Sequence, residues 1–353
     1  MRINWLQVEG FRNLETQRIS LSSPATLLYG RNAQGKTNVL EAIYLLATTR
    51  SFRDNRPESL VRHGKQEAGL LGEVEHEGVR HDLGLSISGK GKSFRRDGHP
   101  ADLATYVRTL PVVVLSAEDR GLVGGVPRHR RYFLDAAGVF RRAAYLETLL
   151  AFGRSRLQRN LILRDYRASR SGELEAWTDT YASMGQEIQR ERAAVAGEVN
   201  GVLQALQGEL DLDERVRVAY RPSGGGDLRE ALKGARPEEV RRGMSLVGPQ
   251  RDGVEILLDD RPIQSFGSSG QARTALWLLK LARVQLLAER ESRPPLFLLD
   301  EVEVELDPQR IGQMMRLTHG RAQVVMTATR PLDASWGDLK FLRVESGRVL
   351  EEA

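Results

Sequence analysis

Gly30-Arg31-Asn32-Ala33-Gln34-Gly35-Lys36-Thr37 fits the pattern G-x-x-x-x-G-K-[ST] at every fixed position. Such a run is useful in one setting, a tight loop between the end of a buried strand and the start of a helix. Glycines let successive backbone N–H groups turn toward phosphate oxygens, and the following helix N-terminus adds a favourable dipole. The flanks agree. Ala25-Thr26-Leu27-Leu28-Tyr29 reads as the strand, and Val39, Leu40, Ile43, Leu46 and Ala47 recur at helical spacing. Residues 30–37 are therefore expected to bind a nucleotide triphosphate, ATP with Mg²⁺. Lys36 is expected to reach the β- and γ-phosphates, and the Thr37 hydroxyl to ligate the metal.

Phosphoryl transfer also needs a carboxylate for the metal and a group that orients the attacking water. Pro294-Pro295-Leu296-Phe297-Leu298-Leu299-Asp300-Glu301 offers both at the C-terminal end of an apolar strand, where α/β sheets place ligands. Alone, such a run would read as a capped strand end. Beside a P-loop it assigns Asp300 to Mg²⁺ and Glu301 to the nucleophilic water.

Gly267-Ser268-Ser269-Gly270-Gln271 precedes a helix expected over 273–289 and offers a hydroxyl and backbone N–H groups to an anion. An ordinary Ser N-cap would look the same. The segment resembles the signature motif of ABC-type ATPases, and Glu305-Leu306-Asp307 looks like their D-loop. In that superfamily the signature of one subunit closes on the γ-phosphate held by the P-loop of another. The resemblance adds Ser268, Gly270 and Gln271 to the nucleotide-binding residues, Ser268 to the catalytic set of Glu301 and Lys36, and implies an ATP-dependent homodimer.

Further segments narrow the likeness: Val8-Glu9-Gly10-Phe11-Arg12-Asn13-Leu14, Asn38-Val39-Leu40-Glu41-Ala42-Ile43, Arg50-Ser51-Phe52-Arg53, the arginine block from Gly125 to Asp135, and Gly248-Pro249-Gln250-Arg251-Asp252. Together they resemble the RecF family of bacterial DNA-repair ATPases, whose heads resemble those of Rad50 and SMC proteins. The resemblance implies duplex DNA, at gaps, as a partner, RecR and RecO as co-workers, RecA loading as the outcome and the SOS response as a setting. Two features depart from ABC-type heads. Val324-Val325-Met326-Thr327-Ala328-Thr329-Arg330 holds no switch histidine, leaving Thr327 or Thr329 to supply a hydroxyl, and Ser116-Ala117-Glu118-Asp119 stands where a Q-loop glutamine is usual. Val126 and Val304 are also larger than the small residues typical of the family. The departures imply slow, switch-like turnover, and the family resemblance implies a DNA-dependent ATPase. An end-tethering Rad50/SMC-type head would need longer coils, and a transporter ATPase subunit would carry the histidine.

The remaining pattern organises the chain. Strands are expected over 3–8 and 18–21, an antiparallel meander over 68–96 and a buried strand over 111–115. From 139 to 210 there is no proline and apolar residues follow helical periods. Leu146, Leu149, Leu150, Leu157 and Leu161 form one stripe, and Leu174, Trp177, Tyr181, Met184, Ile188, Val195, Val199, Val202 and Leu206 another. A reversal at Ser169-Arg170-Ser171-Gly172 would make an antiparallel hairpin. Helix–strand alternation then resumes, with strands over 216–220, 254–258, 296–299 and 323–327, a helix over 308–317 and a hairpin over 340–350. The fold expected is an α/β ABC-type ATPase head with a mixed sheet, its parts at 1–138 and 211–353, and an inserted α-helical arm at 139–210.

Composition excludes other classes. The 353 residues hold no cysteine, so thiolate metal sites and disulfides are excluded, and the six histidines have no ligand spacing. No apolar run approaches membrane length and no leader-like segment opens the chain, which fits a cytoplasmic protein. The net charge is +5, carried largely by arginine. Arg50, Arg53, Arg56, Arg128, Arg130, Arg131, Arg154, Arg156 and Arg159 are the expected contacts to DNA phosphates, with ion pairs inside the protein the competing use.

Overall fold

Strands that are apolar at every position need cover on both faces, which a parallel sheet provides. The computed structural model describes residues 1–166, 171–291, 294–332 and 339–351. It divides into two compact units, Met1–Arg120 with Leu276–Ala353, and Gly121–Ala275. In the first unit a mixed sheet runs in the order Arg348–Glu351, Leu339–Glu345, Ala25–Tyr29, Gln323–Ala328, Leu296–Leu299, Val112–Leu115. All neighbours are parallel except the edge hairpin. Ala25–Tyr29, Gln323–Ala328, Leu296–Leu299 and the edge strand Val112–Leu115 are buried at every residue. Tyr29 pairs with Ala328, and Leu299 pairs with both Met326 and Leu115. The strands therefore end together, so Gly30, Asp300 and Thr329 leave the sheet along one edge.

The second sheet of this unit is antiparallel, in the order Gln17–Ser20, Arg2–Glu9, Glu67–His76, Val79–Ser88, Gly91–Arg96, His99–Pro100. It contains the expected meander. Glu77-Gly78 and Asp97-Gly98 each join paired strands with both residues at positive φ, the geometry of a two-residue hairpin turn. Ala68, Leu70, Val74, Leu83, Leu85 and Ile87 alternate inward. Helix Lys36–Thr48 shares a core with both sheets, through residues such as Ile3, Val74 and Leu83 of one and Leu28, Leu298 and Val325 of the other. That double cover buries the helix almost all round, including Glu41, whose side chain is fully buried.

Glu41 is matched rather than merely enclosed. Arg12 donates to both carboxylate oxygens (3.0 and 2.7 Å), the Ser51 hydroxyl donates to Oε1 at 2.5 Å, and Arg53 lies 3.5 Å from Oε2. Three of the segments that carried the family likeness, around Arg12, Glu41 and Arg53, thus meet at one buried carboxylate. A buried charge that lost such partners would be costly.

The second unit holds helices Pro127–Arg141, Tyr145–Arg164, Ser171–Glu209 and Leu228–Arg242, and a small antiparallel sheet in the order Arg261–Pro262, Gly253–Leu258, Val216–Arg221. The expected strands at 216–220 and 254–258 exist, but they pair with each other here and do not join the mixed sheet. Side chains of the long helix hold them. Asn200 bonds both backbone groups of Val218, and Gln207 does the same for Val216.

Helix Tyr145–Arg164 packs against Ser171–Glu209, but not with the face expected of it. Leu150, Leu157 and Leu161 are 42%, 59% and 47% exposed, while Tyr145, Phe152, Ser155, Arg159, Ile162 and Leu163 point inward. Arg159 explains the inversion. Its guanidinium donates to Glu239 at 2.6 Å, Ser245 at 2.8 Å and Thr178 at 2.9 Å, so the buried face carries a satisfied cation among Tyr145, Phe152, Ile162 and Leu163. The stripe on Ser171–Glu209 is inward as expected at Leu174, Tyr181, Ile188, Val195, Val199 and Leu206. Of the expected reversal, Ser169 and Arg170 lie outside the described residues.

Candidate nucleotide-binding site

The P-loop leaves strand Ala25–Tyr29 through two positions that only glycine can hold. Gly30 has φ +152°, and a Cβ there would sit 2.3 Å from the Val344 carbonyl oxygen. Gly35 has φ +110°, with a Cβ 2.9 Å from Asn13 Oδ1. Between them Ala33 is also left-handed, at φ 64°. The edge hairpin braces the loop, because Gly347 N–H donates to the Gln34 carbonyl (2.9 Å) and Ser346 N–H to Gln34 Oε1 (2.6 Å). Helix Lys36–Thr48 then begins with no side-chain cap, so its first N–H groups remain available to an anion.

Lys36 is folded back across the loop, donating to the carbonyls of Gly30 (2.7 Å) and Arg31 (2.9 Å). Burial lowers its pKa, while Glu301, Glu303 and Asp300 act to raise it. Beside it a cavity of about 570 Å³ is lined by Arg31, Asn32, Gln34 and Thr329. The expected hydroxyl at Thr329 thus borders the loop, and Thr327 lies deeper.

Asp300 leaves the buried strand Leu296–Leu299 and accepts two hydroxyl protons on one oxygen. Thr37 donates to Oδ1 at 2.9 Å and Thr327 at 2.8 Å. Burial raises the Asp300 pKa, and the bonds from Thr327 and Thr37 and the charges of Arg53 and Lys36 oppose the rise. Glu301 is left-handed (φ 49°, ψ 53°) and its N–H donates to Thr327 Oγ1 at 2.7 Å. Glu303, which no motif flagged, accepts from the Thr329 N–H at 2.5 Å. Asp307 caps the next helix, Pro308–Thr318, by accepting from Arg310 N–H at 2.9 Å. The chemistry of Thr37 and Asp300, a hydroxyl and a carboxylate converging beside a phosphate loop, fits a hard divalent cation.

The signature segment belongs to the second unit. Its helix starts at Ser269, earlier than the sequence suggested, and runs to Glu291. Ser268 and Gln271 make a reciprocal cap: Ser268 N–H donates to Gln271 Oε1 at 2.6 Å, and Gln271 N–H to Ser268 Oγ at 3.2 Å. Gln271 also donates its amide to Glu214 at 2.6 Å, a partner 57 residues away that no local pattern announces. Ser268 and Gly270 are exposed, and so is Phe266 beside them, at 68%. The Ser268 hydroxyl accepts within the cap, which leaves its own proton to donate.

Two other expectations resolve structurally. The Q-loop position is a short turn, in which Ser116 and Asp119 form a capping box and the buried Lys280 donates to Asp119 at 2.5 Å. In the arginine block, Arg130 is buried and donates to the carbonyls of Val254 (2.6 Å) and Gly125 (2.9 Å), and Arg131 donates to the Asp252 carbonyl (2.9 Å). Arg159 is buried too. The Arg130 and Arg159 guanidiniums are buried inside the second unit and correct the expectation that they meet DNA, while Arg131 is half-buried. Arg128, Arg154 and Arg156 are exposed.

Residues 2–335 match the family described as the RecF/RecN/SMC N terminal domain. The DNA replication and repair protein RecF of Geotalea daltonii is 32% identical over 366 residues, covering 99% of this chain and all of that one. The solved structure of the recombination mediator protein RecF-ATP in the RecFOR pathway is similar at a TM-score of 0.91 and 27% identity, covering 99% and 97% of the two chains. An Smc head domain from Pyrococcus furiosus shares the fold, with a TM-score of 0.58 at 16% identity over 99% of this chain and 95% of that one.

Proposed function

The chain belongs to the RecF family, and on that premise we propose that it is an ATP-dependent recombination mediator. It binds ATP with Mg²⁺, dimerises on it, binds duplex DNA near gaps, and works in the cytoplasm with RecR and RecO to help load RecA on damaged DNA. The observation that carries the reading is the convergence of Thr37, Asp300 and Thr327 beside the P-loop, with Glu301 fixed to the same hydroxyl.

The residues 30–37 cradle the triphosphate with backbone N–H groups, and Lys36 exchanges its bonds to the Gly30 and Arg31 carbonyls for phosphate oxygens. Thr37 and Asp300 would hold Mg²⁺, which when bound neutralises charge on the β- and γ-phosphates. Glu301 orients the attacking water and accepts its proton. Ser268 of a second copy, with Gly270 and Gln271, closes on the γ-phosphate through its free hydroxyl proton and the N–H groups at its helix start. Each molecule is then half of a site, and the nucleotide joins two copies until Glu301 acts. No Q-loop glutamine or switch histidine speeds the step, so turnover is slow, and on the family premise it depends on DNA.

Among the described helices the longest, Ser171–Glu209, has 39 residues. That is about 58 Å of helix, too little for the long coils that end tethering requires. With ATP, the Glu301→Gln protein should accumulate as dimers, because binding survives while hydrolysis fails. The Ser268→Arg protein should bind ATP and stay monomeric. Analytical ultracentrifugation with and without ATP reads both, and a monomeric Glu301→Gln protein at saturating ATP would sink the model.

A further inference from the structure

We infer that Thr327 is a positioning residue for the hydrolytic step, one side chain that sets both the Asp300 carboxylate and the Glu301 backbone. The inference rests on the nucleotide reading above and adds to it a residue with no exposed surface, bonded to Asp300 and the Glu301 backbone.

Strand Gln323–Ala328 lies beside Leu296–Leu299 in parallel register, Leu299 opposite Met326. One step further along, Thr327 therefore stands next to Asp300. Its neighbours Val324, Val325, Met326 and Ala328 are apolar and buried, and Thr327 itself has no exposed surface. A hydroxyl in such a strand is costly unless its bonds are made, so packing alone favours valine there.

The directions of those bonds follow from proton counting. The Glu301 N–H can only donate, so the Thr327 oxygen accepts from it at 2.7 Å. The single Thr327 proton then goes to Asp300 Oδ1 at 2.8 Å. One rigid, β-branched side chain thus ties the peptide that carries Glu301 to the carboxylate expected to hold the metal. Glu301 sits in the left-handed region, which a non-glycine residue occupies only when its surroundings hold it there. The bond to Thr327 is such a constraint. Thr37 uses the same Asp300 oxygen. When the Thr37 hydroxyl is drawn to a cation, Thr327 still fixes the orientation of Asp300.

The test compares Thr327→Val, which keeps the shape and removes the hydroxyl, with Thr327→Ser, which keeps the hydroxyl. Measured on the full chain are kcat and KM for ATP, the affinity for a fluorescent ATP analogue across a Mg²⁺ titration, and the melting temperature. In Thr327→Val, kcat should fall by roughly 10- to 100-fold and the Mg²⁺ concentration for half-maximal nucleotide binding should rise about tenfold, the scale expected when a metal ligand loses the group that orients it. Metal-free nucleotide affinity should stay within about twofold, and Thr327→Ser should recover both quantities to the same margin. Unchanged kcat and Mg²⁺ dependence in Thr327→Val overturn the inference. So does a variant that only melts earlier, with nucleotide affinity reduced in parallel and kcat per folded molecule intact. A wild-type protein that binds ATP but does not hydrolyse it refutes the functional reading instead. The Mg²⁺ titration then still decides whether Thr327 holds Asp300.

Discussion

Asp300 brings a negative charge into a place that disfavours it. Burial raises its pKa above the ordinary carboxylate value even though Thr327, Thr37, Arg53 and Lys36 all oppose the shift. A carboxylate whose folded pKa lies above its unfolded one contributes stability below the unfolded pKa and loses it as pH rises through the folded value. Above the unfolded pKa, Asp300 therefore costs the nucleotide-free fold. Asn at this position keeps an Oδ1 to accept from Thr37 and Thr327 and removes the charge. Calorimetry without nucleotide at pH 7 should show Asp300→Asn melting higher than wild type, by about 1–2 °C for each kcal/mol recovered. The gap should close as pH falls below the unfolded value. Stabilisation by Mg²⁺ with ATP should vanish in the same variant. A lower nucleotide-free melting point would mean that the bonds to the charged form outweigh its burial. The P-loop, Asp300 and Glu301 were legible because each stands at a fixed step from a motif. Thr327 was legible only as one of two hydroxyls, since what separates it from Thr329 is depth in the sheet. Glu303 and Glu214 were not legible, because their partners come from other segments.

At the scale of elements, the same limit governs what the helical pattern revealed. Helix Ser171–Glu209 buries an apolar stripe, and periodicity found it. Helix Tyr145–Arg164 buries Arg159 against Glu239 and Ser245, which lie 80 and 86 residues away, and periodicity chose the wrong face. In the arginine block, Arg130 and Arg131 were expected at DNA, and they bond backbone carbonyls of the second unit instead. Arg192 of the long helix is bound on two sides: Asp135 of Pro127–Arg141 accepts from it at 2.8 Å through both oxygens, and Asp252 at 2.8 Å. Burial works against that charge, but Asp135 and Asp252 outweigh it and hold the guanidinium protonated. Tyr145 and Tyr220 donate to the same two carboxylates, each at 2.6 Å. Arg192→Met would leave both carboxylates without their cation. Removing one partner of a buried ion pair costs about 3–5 kcal/mol, so urea unfolding of this variant should shift by that order. A destabilisation below about 1 kcal/mol would show that the remaining donors suffice, Tyr145 for Asp135 and Tyr220, Gln189 and the Ser223 N–H for Asp252.

At the scale of the whole molecule, the motifs are split between two compact units, phosphate loop and carboxylates in one, signature in the other. A nucleotide that joins two copies can therefore govern a surface far larger than its own site, which is the use proposed for it on DNA. Duplex binding by a chain of net charge +5 is expected to be dominated by phosphate neutralisation and to weaken steeply with salt. The arginines available for it are fewer than the sequence suggested. The buried Arg130 and Arg159 already spend donors on Val254, Gly125, Glu239 and Ser245, whereas Arg154 and Arg156 are exposed on helix Tyr145–Arg164. The two groups should part in one experiment, fluorescence anisotropy of a labelled duplex with ATP over a salt series. Arg154→Gln with Arg156→Gln should weaken binding to all sequences alike and reduce the slope of log K against log salt by about 1 for each phosphate no longer neutralised. Arg130→Gln should leave that slope unchanged and lower the melting temperature, because it strands two buried carbonyls. An unchanged slope in the double variant would move the DNA path off this helix. A reduced slope in Arg130→Gln would mean that its bonds to Val254 and Gly125 open when DNA binds.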